Sequence, residues 1–521
     1  MKRLLYPFLF ITLSFQSFSQ HSISGIVLDK KSQEALIGAN LVLTSNDETS
    51  VIGTVTNLDG QFQFQNIKTG EYKLAISYIG YKTENLVVST SFTKMPLSIL
   101  LSNDMVLDVI NIITDQAEFR KTPVSLSNVT LEKIENELGG QEIPILLNST
   151  PGVYATQQGG GDGDVRINIR GFNQRNVAVM IDGVPMNDME NGWVYWSNWF
   201  GLDALTRTIQ VQRGLGASKL ALPSVGGTIN IITKGIDSKE GGILKQELGS
   251  GQYTRTSFAY STKNLPVGKF NFATSFKKSN GIVDQTSSQG FFYYLKWQKQ
   301  YKNHLFSLSA FGAPQEHDQR KYQTGIAVYD KSFAAELGVD TASLEGGYGL
   351  NYNPNWGEYN NYEIVYENGQ VIDTIQGSNQ TVNRYKNYYH KPNMHFQHLW
   401  NINEKSSLTN VIYYSAGQGG GTGFQGGSLT YTENNQIDFQ TIFNDNSGNS
   451  IHPFFGDLSI DPNFSMIEHK SSSILYSSIN NHSWAGLLST YTQKINEYLD
   501  LSAGLDLRSY RGEHYREIYD L

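Results

Sequence analysis

Five short motifs within residues 150–234 decide the fold of this chain: TPGV at 150–153, IRGF at 169–172, VMIDGVP at 179–185, IQVQRG at 209–214 and GGTINIITK at 226–234. The last three are β-prone runs that begin or end at Gly or Pro. Asp182-Gly183 and Gly226-Gly227 suit tight turns, because glycine adopts positive φ without a steric cost. By itself this spacing predicts a small mixed α/β domain.

In this order, the motifs resemble the plug domain of TonB-dependent outer-membrane receptors. The resemblance assigns residues 120–235 to the plug. In that family the plug blocks the lumen of a large transmembrane β-barrel, so the resemblance implies active import across the outer membrane. The alternative of an ordinary soluble domain is disfavoured by the strand-rich sequence that follows.

Two loops of the predicted plug are candidates for ligand contact, since the family's loops at these places form the floor of the ligand site. The first contains Gln157 and Gln158 and continues through a Gly-rich run to Asp164. Two carboxylates in that run are too few for a calcium site, so a plain loop is expected and no metal or cofactor is predicted. The second loop contributes Trp193, Tyr195, Trp196 and Trp199. These rings either stack on a ligand or pack the plug against the barrel wall, and the sequence leaves both readings open.

The chain begins with a basic n-region, a short apolar core and small residues, which predicts a secretory signal at residues 1–19. Residues 20–102 contain short alternating runs separated by turn residues, which predict a small β-sandwich. GIVLD at 25–29, LIGANL at 36–41 and TNLDGQF at 56–62 resemble the carboxypeptidase-regulatory-like domain, a transthyretin-like fold. No catalytic residues are found in it.

A linker at residues 103–119 carries a β-prone segment whose position resembles that of the TonB box. The candidate coupling residues are Leu107, Asp108, Val109, Ile110, Asn111, Ile112 and Ile113. An extended peptide of this kind pairs its backbone with the edge of a partner's sheet. The alternative is that the segment is the last strand of the first domain or the first strand of the plug.

Composition narrows the class of protein further. The chain has no cysteine and a formal net charge of −8, which excludes a disulfide framework and gives no basic footprint for nucleic acid. No segment beyond the leader has 18 uninterrupted apolar residues, whereas 30 Tyr, 26 Phe and 50 Gly fit a transmembrane barrel with aromatic girdles. A secreted β-rich adhesin has a similar composition.

Residues 236–521 are expected to form the first part of a large antiparallel transmembrane β-barrel. Strands of about ten residues, the length that crosses a bilayer, are predicted at residues 252–263, 269–279, 291–300, 303–311, 393–401, 407–416 and 498–508. Residues 313–390 and 417–471 are predicted to be extracellular loops. A barrel that holds a plug has about 22 strands, which the 281 residues from Gly241 to Leu521 cannot supply, so the sequence is interpreted as part of a longer receptor.

No signature of an enzyme is found. His390, His395 and His398 are close in sequence, but a strand places His395 and His398 on opposite faces, so they make a poor joint metal site.

The predicted fold is therefore mainly β: a transthyretin-like sandwich, a mixed α/β plug and a partial barrel. The expected function is import of a scarce ligand, and the resemblance favours an iron–siderophore complex as that ligand. The expected partners are the periplasmic TonB complex, outer-membrane lipid and the ligand, with a surface lipoprotein in the alternative of a starch-utilisation importer of oligosaccharides or peptides. A non-transporting adhesin or signalling receptor is the remaining alternative.

Overall fold

The computed structural model describes residues 21–30, 33–46, 50–78, 81, 83–90, 96–101, 125–159, 163–214, 224–321, 324–367, 370–446, 463, 471, 473–496 and 498–520. The chain divides into two compact units, Met1–Val109 and Ile110–Leu521. The predicted signal at residues 1–19 and the predicted coupling residues 107–113 lie outside the described residues.

The first unit is a sandwich of two β-sheets. Its strands are β1 His21–Asp29, β2 Asn40–Ser45, β3 Val51–Val55, β4 Gln61–Ile67, β5 Glu71–Ser77, β6 Glu84–Ser89 and β7 Leu97–Leu101. One sheet has the order β4-β1-β7 and the other β3-β2-β5-β6. Alternate residues of β4 and β5 point inward, and Phe64, Leu74 and Ile76 join Ile23 in one apolar core. The predicted β-sandwich is confirmed.

The plug follows as a mixed α/β body. Its elements are β8 Ser125–Thr130, α1 Leu131–Glu137, α2 Ile143–Leu146, β9 Val153–Gln158, β10 Gly163–Ile169, β11 Phe172–Asn173, β12 Val177–Ile181, β13 Val184–Pro185, β14 Thr206–Arg213 and β15 Gly227–Thr233. They form a five-stranded sheet, β13-β12-β15-β14-β8, and a three-stranded sheet, β11-β10-β9. Strands β12 and β15 are parallel and buried at every residue, which explains their uninterrupted apolar or small-residue sequences.

An antiparallel sheet of eleven strands occupies most of the remaining chain. Its strands are β16 Gly241–Gly249, β17 Tyr253–Ser261, β18 Lys269–Ser279, β19 Ser288–Tyr301, β20 His304–Gly312, β21 Gln315–Asp318, β24 Lys386–His390, β25 Asn393–Asn403, β26 Ser406–Gly426, β27 Ser473–Lys494 and β28 Asp500–Asp520. Strands β16 to β20, then β25, β26, β27 and β28, pair in succession, and β21 and β24 extend the sheet beside β19 and β26. Within the described residues, β16 and β28 are its outer strands.

The connections that the sequence analysis treated as long loops contain regular structure. A hairpin of β22 Trp356–Glu367 and β23 Gln370–Asn383 forms there with the helices α3 Ile326–Tyr329, α4 Lys331–Glu336 and α5 Phe439–Asn446. Tyr359 and Val382 of the hairpin share a small apolar core with Phe439 and Ile442 of α5. The extracellular location predicted for 313–390 and 417–471 stays a prediction, but the two segments also contribute β21, β24 and the end of β26 to the large sheet.

Strand β26 also runs ten residues beyond its predicted end, through the glycine-rich run at 417–426. Glycines are poor strand formers, but aromatic side chains lie directly over them. The Tyr389 hydroxyl would be 2.3 Å from a Cβ at Gly417, and the Tyr476 ring 2.7 Å from one at Gly423. Pairing with β24 and β27 on both sides supplies the backbone hydrogen bonds.

Two buried ion pairs join the plug to the large sheet. Lys296 of β19 donates to Asp182 in the β12–β13 turn at 2.9 Å. Asp182 also accepts from the Thr233 hydroxyl at 2.6 Å and the Thr233 amide at 2.9 Å. Nη2 of Arg255 on β17 donates to both carboxylate oxygens of Asp203 in the plug, at 2.6 and 2.7 Å. The inner face of the sheet is thus fixed to the plug by charge as well as by packing.

Burial raises the pKa of Asp182, but Lys296 and the Thr233 hydrogen bonds outweigh it and hold the pKa below its usual value. A carboxyl whose pKa is lowered on folding stabilises the fold at pH values above its unfolded pKa. That contribution is lost as the pH falls through the folded pKa.

In the part of the chain that the structure describes, no helix is both long enough and apolar enough to cross a membrane.

The Asp182–Lys296 pair gives a first prediction. Asp182→Asn leaves the ammonium of Lys296 buried without its counter-charge, which costs about 3–5 kcal/mol. We expect a clear fall in the midpoint of thermal unfolding and faster protease cleavage of the plug. Glu137→Gln is the control, because its pair with Lys133 is exposed and worth under about 1 kcal/mol. Equal effects of the two substitutions would contradict the assignment.

Candidate functional site

A cavity of about 170 Å³ lies between the plug and the inner face of the large sheet. The plug provides Asp164 and the loop of residues 187–199. The opposite wall comes from β24, β26, β27 and β28 and from Lys391, which lies between β24 and β25. The residues that line the cavity are Asp164, Asp188, Glu190, Asn191, Tyr195, Ser197, Asn198, Asn387, Tyr389, Lys391, Gly420, Asn480, His482, Tyr510 and His514.

The loop at 187–199 is held in place by its own polar side chains. Asn187 is the centre of this bonding: its Oδ1 accepts from the Val179 amide at 2.8 Å, and its Nδ2 donates to the carbonyls of Val177 and Gly192, both at 3.0 Å. Asp188 Oδ1 accepts from the amides of Glu190 and Asn191, both at 3.0 Å. Side chains that replace regular backbone pairing in this way make a loop rigid.

The four aromatic residues predicted in this loop have different environments. Trp196 and Trp199 are each 3% exposed, meet edge to face at 6.5 Å and belong to the main apolar core. The packing role, one of the two predicted alternatives, therefore describes them. Trp193 lies beneath the guanidinium groups of Arg166 and Arg175, at 4.0 and 4.5 Å. Tyr195 lines the cavity, and burial, followed by the nearby charge of Asp188, raises its pKa.

Gln157 and Gln158 are exposed at the end of β9 and lie outside the cavity lining. The next residue, Gly159, accepts a hydrogen bond from the Arg320 amide at 2.8 Å. The first predicted loop therefore contacts the segment that follows β21 instead of the cavity. Its role in ligand contact stays a prediction.

The wall opposite the plug loop carries residues that sequence reasoning missed. The Tyr389 hydroxyl donates to the Asn480 carbonyl at 2.8 Å and lies 2.9 Å from His482 Nδ1. Tyr510 stacks on His482 at 5.9 Å. His514 Nε2 lies 2.9 Å from Glu190 and so connects β28 to the plug loop. Strand β27 was not predicted, and only its pairing with β26 and β28 brings His482 to this wall.

Lys391 is the most unusual residue of the cavity. It is 4% exposed, and its Nζ lies between the rings of Trp199 and Trp484, at 5.9 and 5.8 Å. Among the described residues no carboxylate forms an ion pair with it within 4 Å, although a buried cation normally has such a partner, and Asp188 of the same cavity acts on it only at longer range. His482 Nε2 and Asn198 Oδ1 are likewise buried without a hydrogen-bond partner in the described structure. The cavity therefore offers unused polar groups beside tyrosine rings.

The acidic residues of the cavity, in contrast, already have partners. Asp164 accepts from the Ser197 amide at 3.0 Å, Asp188 holds the loop backbone, and Glu190 contacts His514. Positive charge is left over at Lys391. The arrangement can bind a compact group with an anionic oxygen and a flat face that stacks on tyrosine.

The structure thus places a mixed α/β domain of this topology against the inner face of an antiparallel sheet, to which two buried ion pairs join it. Residues 118–228 match the model of the TonB-dependent Receptor Plug Domain, and residues 23–111 match the CarboxypepD_reg-like domain. The chain therefore contains a plug domain similar to that of TonB-dependent receptors, preceded by a CarboxypepD_reg-like domain.

Curated relatives agree with this class. The chain is 24% identical over 199 residues to the vitamin B12 transporter BtuB of Vibrio vulnificus. That alignment covers 38% of this chain and 32% of the transporter. It is 30% identical over 173 residues to the ferric enterobactin receptor of Pseudomonas aeruginosa, covering 29% and 23%. The matches thus span about a third or less of these relatives. These two relatives are a transporter and a receptor, and neither is an enzyme, in agreement with the prediction that the chain is not an enzyme.

Among solved structures, the chain is similar to the ferric citrate transporter FecA in its unliganded form, with a TM-score of 0.47 and 14% identity over 76% of this chain and 49% of that one. It is also similar to the open form of the ferric-catecholate import receptor Fiu of Escherichia coli K12, with a TM-score of 0.49 and 13% identity over 76% and 50%.

The role of Asn187 in shaping the cavity can be tested directly. Asn187→Ala leaves buried backbone groups of the loop without partners, at a cost of about 1–3 kcal/mol. We expect a lower unfolding midpoint and new protease cleavage between residues 187 and 199, seen by mass spectrometry of the digests. Asn176→Ala, which removes only an exposed hydrogen bond to Asn173, should change stability by less than about 0.5 kcal/mol. An uncleaved loop in the Asn187 variant would show that packing alone fixes it.

Proposed function

We propose that the protein imports a scarce, anionic ligand across the outer membrane, with an iron–siderophore complex as the first candidate. The observation that carries this proposal is the unpaired, buried cation of Lys391 in a cavity between the plug and the sheet. Siderophores bind ferric iron through carboxylate, catecholate or hydroxamate oxygens, so the complex presents anionic oxygen and, in many cases, flat rings. Those features match Lys391 and the tyrosines of the cavity.

Energy for import has to come from outside the outer membrane, which holds no ATP. In the proposed mechanism the periplasmic TonB protein pairs with residues 107–113 as an added strand and pulls on them. The described chain resumes at β8, which lies at the edge of the plug sheet and pairs only with β14 among the described strands. A pull from the N-terminal side therefore reaches an edge strand first.

Ligand binding must change how readily the plug moves. It can do so only if the ligand has different affinities for the resting and the displaced plug. The cavity supplies such a difference, because one wall belongs to the plug and the other to the sheet. A ligand that bridges Tyr195 and Lys391 loses its contact with Tyr195 or with Lys391 when the plug moves.

The ligand class is tested by removing the cation. Lys391→Met should weaken binding of a ferric catecholate complex about thirtyfold or more, since a buried charged partner is worth about 2 kcal/mol or more. The thermal unfolding midpoint should not fall, because Lys391 has no carboxylate partner to leave unpaired in the described structure. Fluorescence quenching titrations measure the affinity, with Lys278→Met, an exposed lysine outside the cavity, as the control.

Two results would contradict the proposal. One is an unchanged affinity for the ferric complex in the Lys391 variant. The other is tight binding of a neutral maltooligosaccharide that does not depend on Lys391, which would favour the starch-utilisation alternative.

The coupling role is tested separately by deleting residues 107–114. Uptake of the radiolabelled ferric complex by whole cells should stop, whereas its binding to the cell surface should persist, because the cavity lies in the plug and the sheet. Deletion of eight other linker residues, 103–105 and 115–119, is the control for linker length. Uptake that survives the first deletion would rule out the coupling assignment.

A further inference from the structure

Five aromatic rings form a continuous stack on the face of the large sheet that points away from the plug. They are Trp400, His304, His398, Phe306 and Phe396, here named the outer ring stack. Strands β20 and β25 pair so that His304 lies opposite Trp400 and Phe306 opposite His398. The alternating residues Leu305 and Leu399 are buried on the plug side. Neighbouring Gln397 donates to the Asp182 carbonyl at 2.7 Å, which identifies that side as the inner one.

The rings of the stack are nearly parallel. Centroids of His304 and Trp400 are 5.4 Å apart at 22°, those of His304 and His398 are 5.3 Å apart at 13°, and those of His398 and Phe306 are 4.9 Å apart at 10°. Phe396 continues the stack from Phe306 at 6.5 Å. Stacking of this extent fixes the orientation of both imidazoles, and so fixes where their nitrogens point.

A hydrogen-bond chain determines which imidazole nitrogens carry protons. The Ser489 hydroxyl donates to Asn410 Oδ1 at 2.7 Å, so the Asn410 amide turns its Nδ2 toward His398 Nδ1, at 3.4 Å. His398 Nδ1 is then an acceptor, and its proton lies on Nε2. That nitrogen lies 3.0 Å from His304 Nδ1, to which it donates. The proton of His304 is therefore on Nε2.

The end of this chain is a donor without an acceptor. His304 is half-buried, and no hydrogen bond to its Nε2 is found among the described residues. Every step from Ser489 onward donates in the same direction, so the bonds polarise one another toward this N–H group. An oriented donor of this kind suits an anionic oxygen from outside the protein.

Along strands β20 and β25, the outward-facing residues change from aliphatic on one side of the outer ring stack to cationic on the other. On one side of the stack, Leu308 and Met394 are half or more exposed on the outward face. On the other side are the two-residue turns at 302–303 and 404–405, where Lys302 and Lys405 are exposed. Lys302 Nζ also lies 5.5 Å from the ring of Tyr301. An aliphatic surface that ends in N–H and ammonium groups has the polarity of an acyl chain that ends in a phosphate.

We propose that His304 Nε2, with Lys302 at the adjoining turn, binds the phosphate of a membrane phospholipid on the outer wall of the sheet. The inference rests on the membrane location that belongs to the proposed function. It adds a site that faces away from the ligand cavity and the plug. The two sites share no residue, so each can be removed without the other.

The test counts lipids retained by the intact protein after insertion into nanodiscs of phosphatidylglycerol and release into detergent, by native mass spectrometry. His304→Phe keeps a ring in the stack and removes the N–H donor. We expect the fraction with a retained phospholipid to fall about tenfold, the usual effect of losing a hydrogen bond to a charged group. Phe396→Leu removes a ring but no donor, and should retain lipid as the unaltered protein does.

Lys302→Gln is a second test variant. Because Lys302 lies at an exposed turn, its replacement does not disturb packing, and it should lower the fraction of protein with a retained phospholipid about threefold. Equal retention in the unaltered protein, His304→Phe and Lys302→Gln would overturn the proposal. Displacement of the lipid by millimolar inorganic phosphate as readily as by added phosphatidylglycerol would overturn the lipid assignment. Failure of the unaltered protein to enter nanodiscs would instead contradict the proposed function.

Discussion

The cost of placing charge in a protein interior constrains the whole second unit. The inner face of the large sheet carries Arg255 and Lys296, and neither is stable there without an acidic partner. The plug supplies Asp203 to Arg255 from a short 3-10 helix and Asp182 to Lys296 from a tight turn, while Arg255 also contacts Glu247 of β16 at 3.4 Å. The sheet therefore requires the plug for electrostatic reasons as well as for packing, and the position of the plug is specified at two points.

The ion pair between Asp182 and Lys296 also explains the conformation of the plug motifs that contain Asp182 and Thr233. Asp182 adopts a φ of 49° and is followed by Gly183 at 80°, so the turn between β12 and β13 is tight enough to present the carboxylate to Lys296. Thr233, at the end of β15, reaches the same carboxylate because β12 and β15 are parallel neighbours. The DG pair at 182–183 and the final threonine of the last plug motif thus meet in one polar cluster.

Much of the fold follows from local sequence, whereas the site does not. Strand β18 occurs at the predicted residues, because its alternating Phe and polar residues have the two-residue period of a β-strand. Strand β27 was missed because its buried positions mix serine and threonine with aliphatic residues, a histidine and a tryptophan, so no regular alternation of polar and apolar residues marks it. Within the site, Tyr195 belonged to a recognisable aromatic loop. Lys391 and His482 reach the cavity only through strand pairing over long separations, which no local pattern records. Trp196 and Trp199 could not be distinguished from ligand-facing rings by sequence, because burial depends on the neighbouring sheet.

The distance along the chain between Asp182 and Gln397 has a consequence for the order of assembly. Their hydrogen bond closes a separation of 215 residues, whereas β17, β18 and β19 are joined by connections of a few residues. Closing a longer loop costs more conformational entropy, so neighbouring hairpins form before contacts of this range. Until the plug arrives, the growing sheet holds Lys296 without its carboxylate, and Arg255 has only Glu247 of the neighbouring strand β16, at 3.4 Å. An early sheet is therefore less stable alone than its hydrogen bonds suggest, and capture of the plug is the step that commits the chain to its native form.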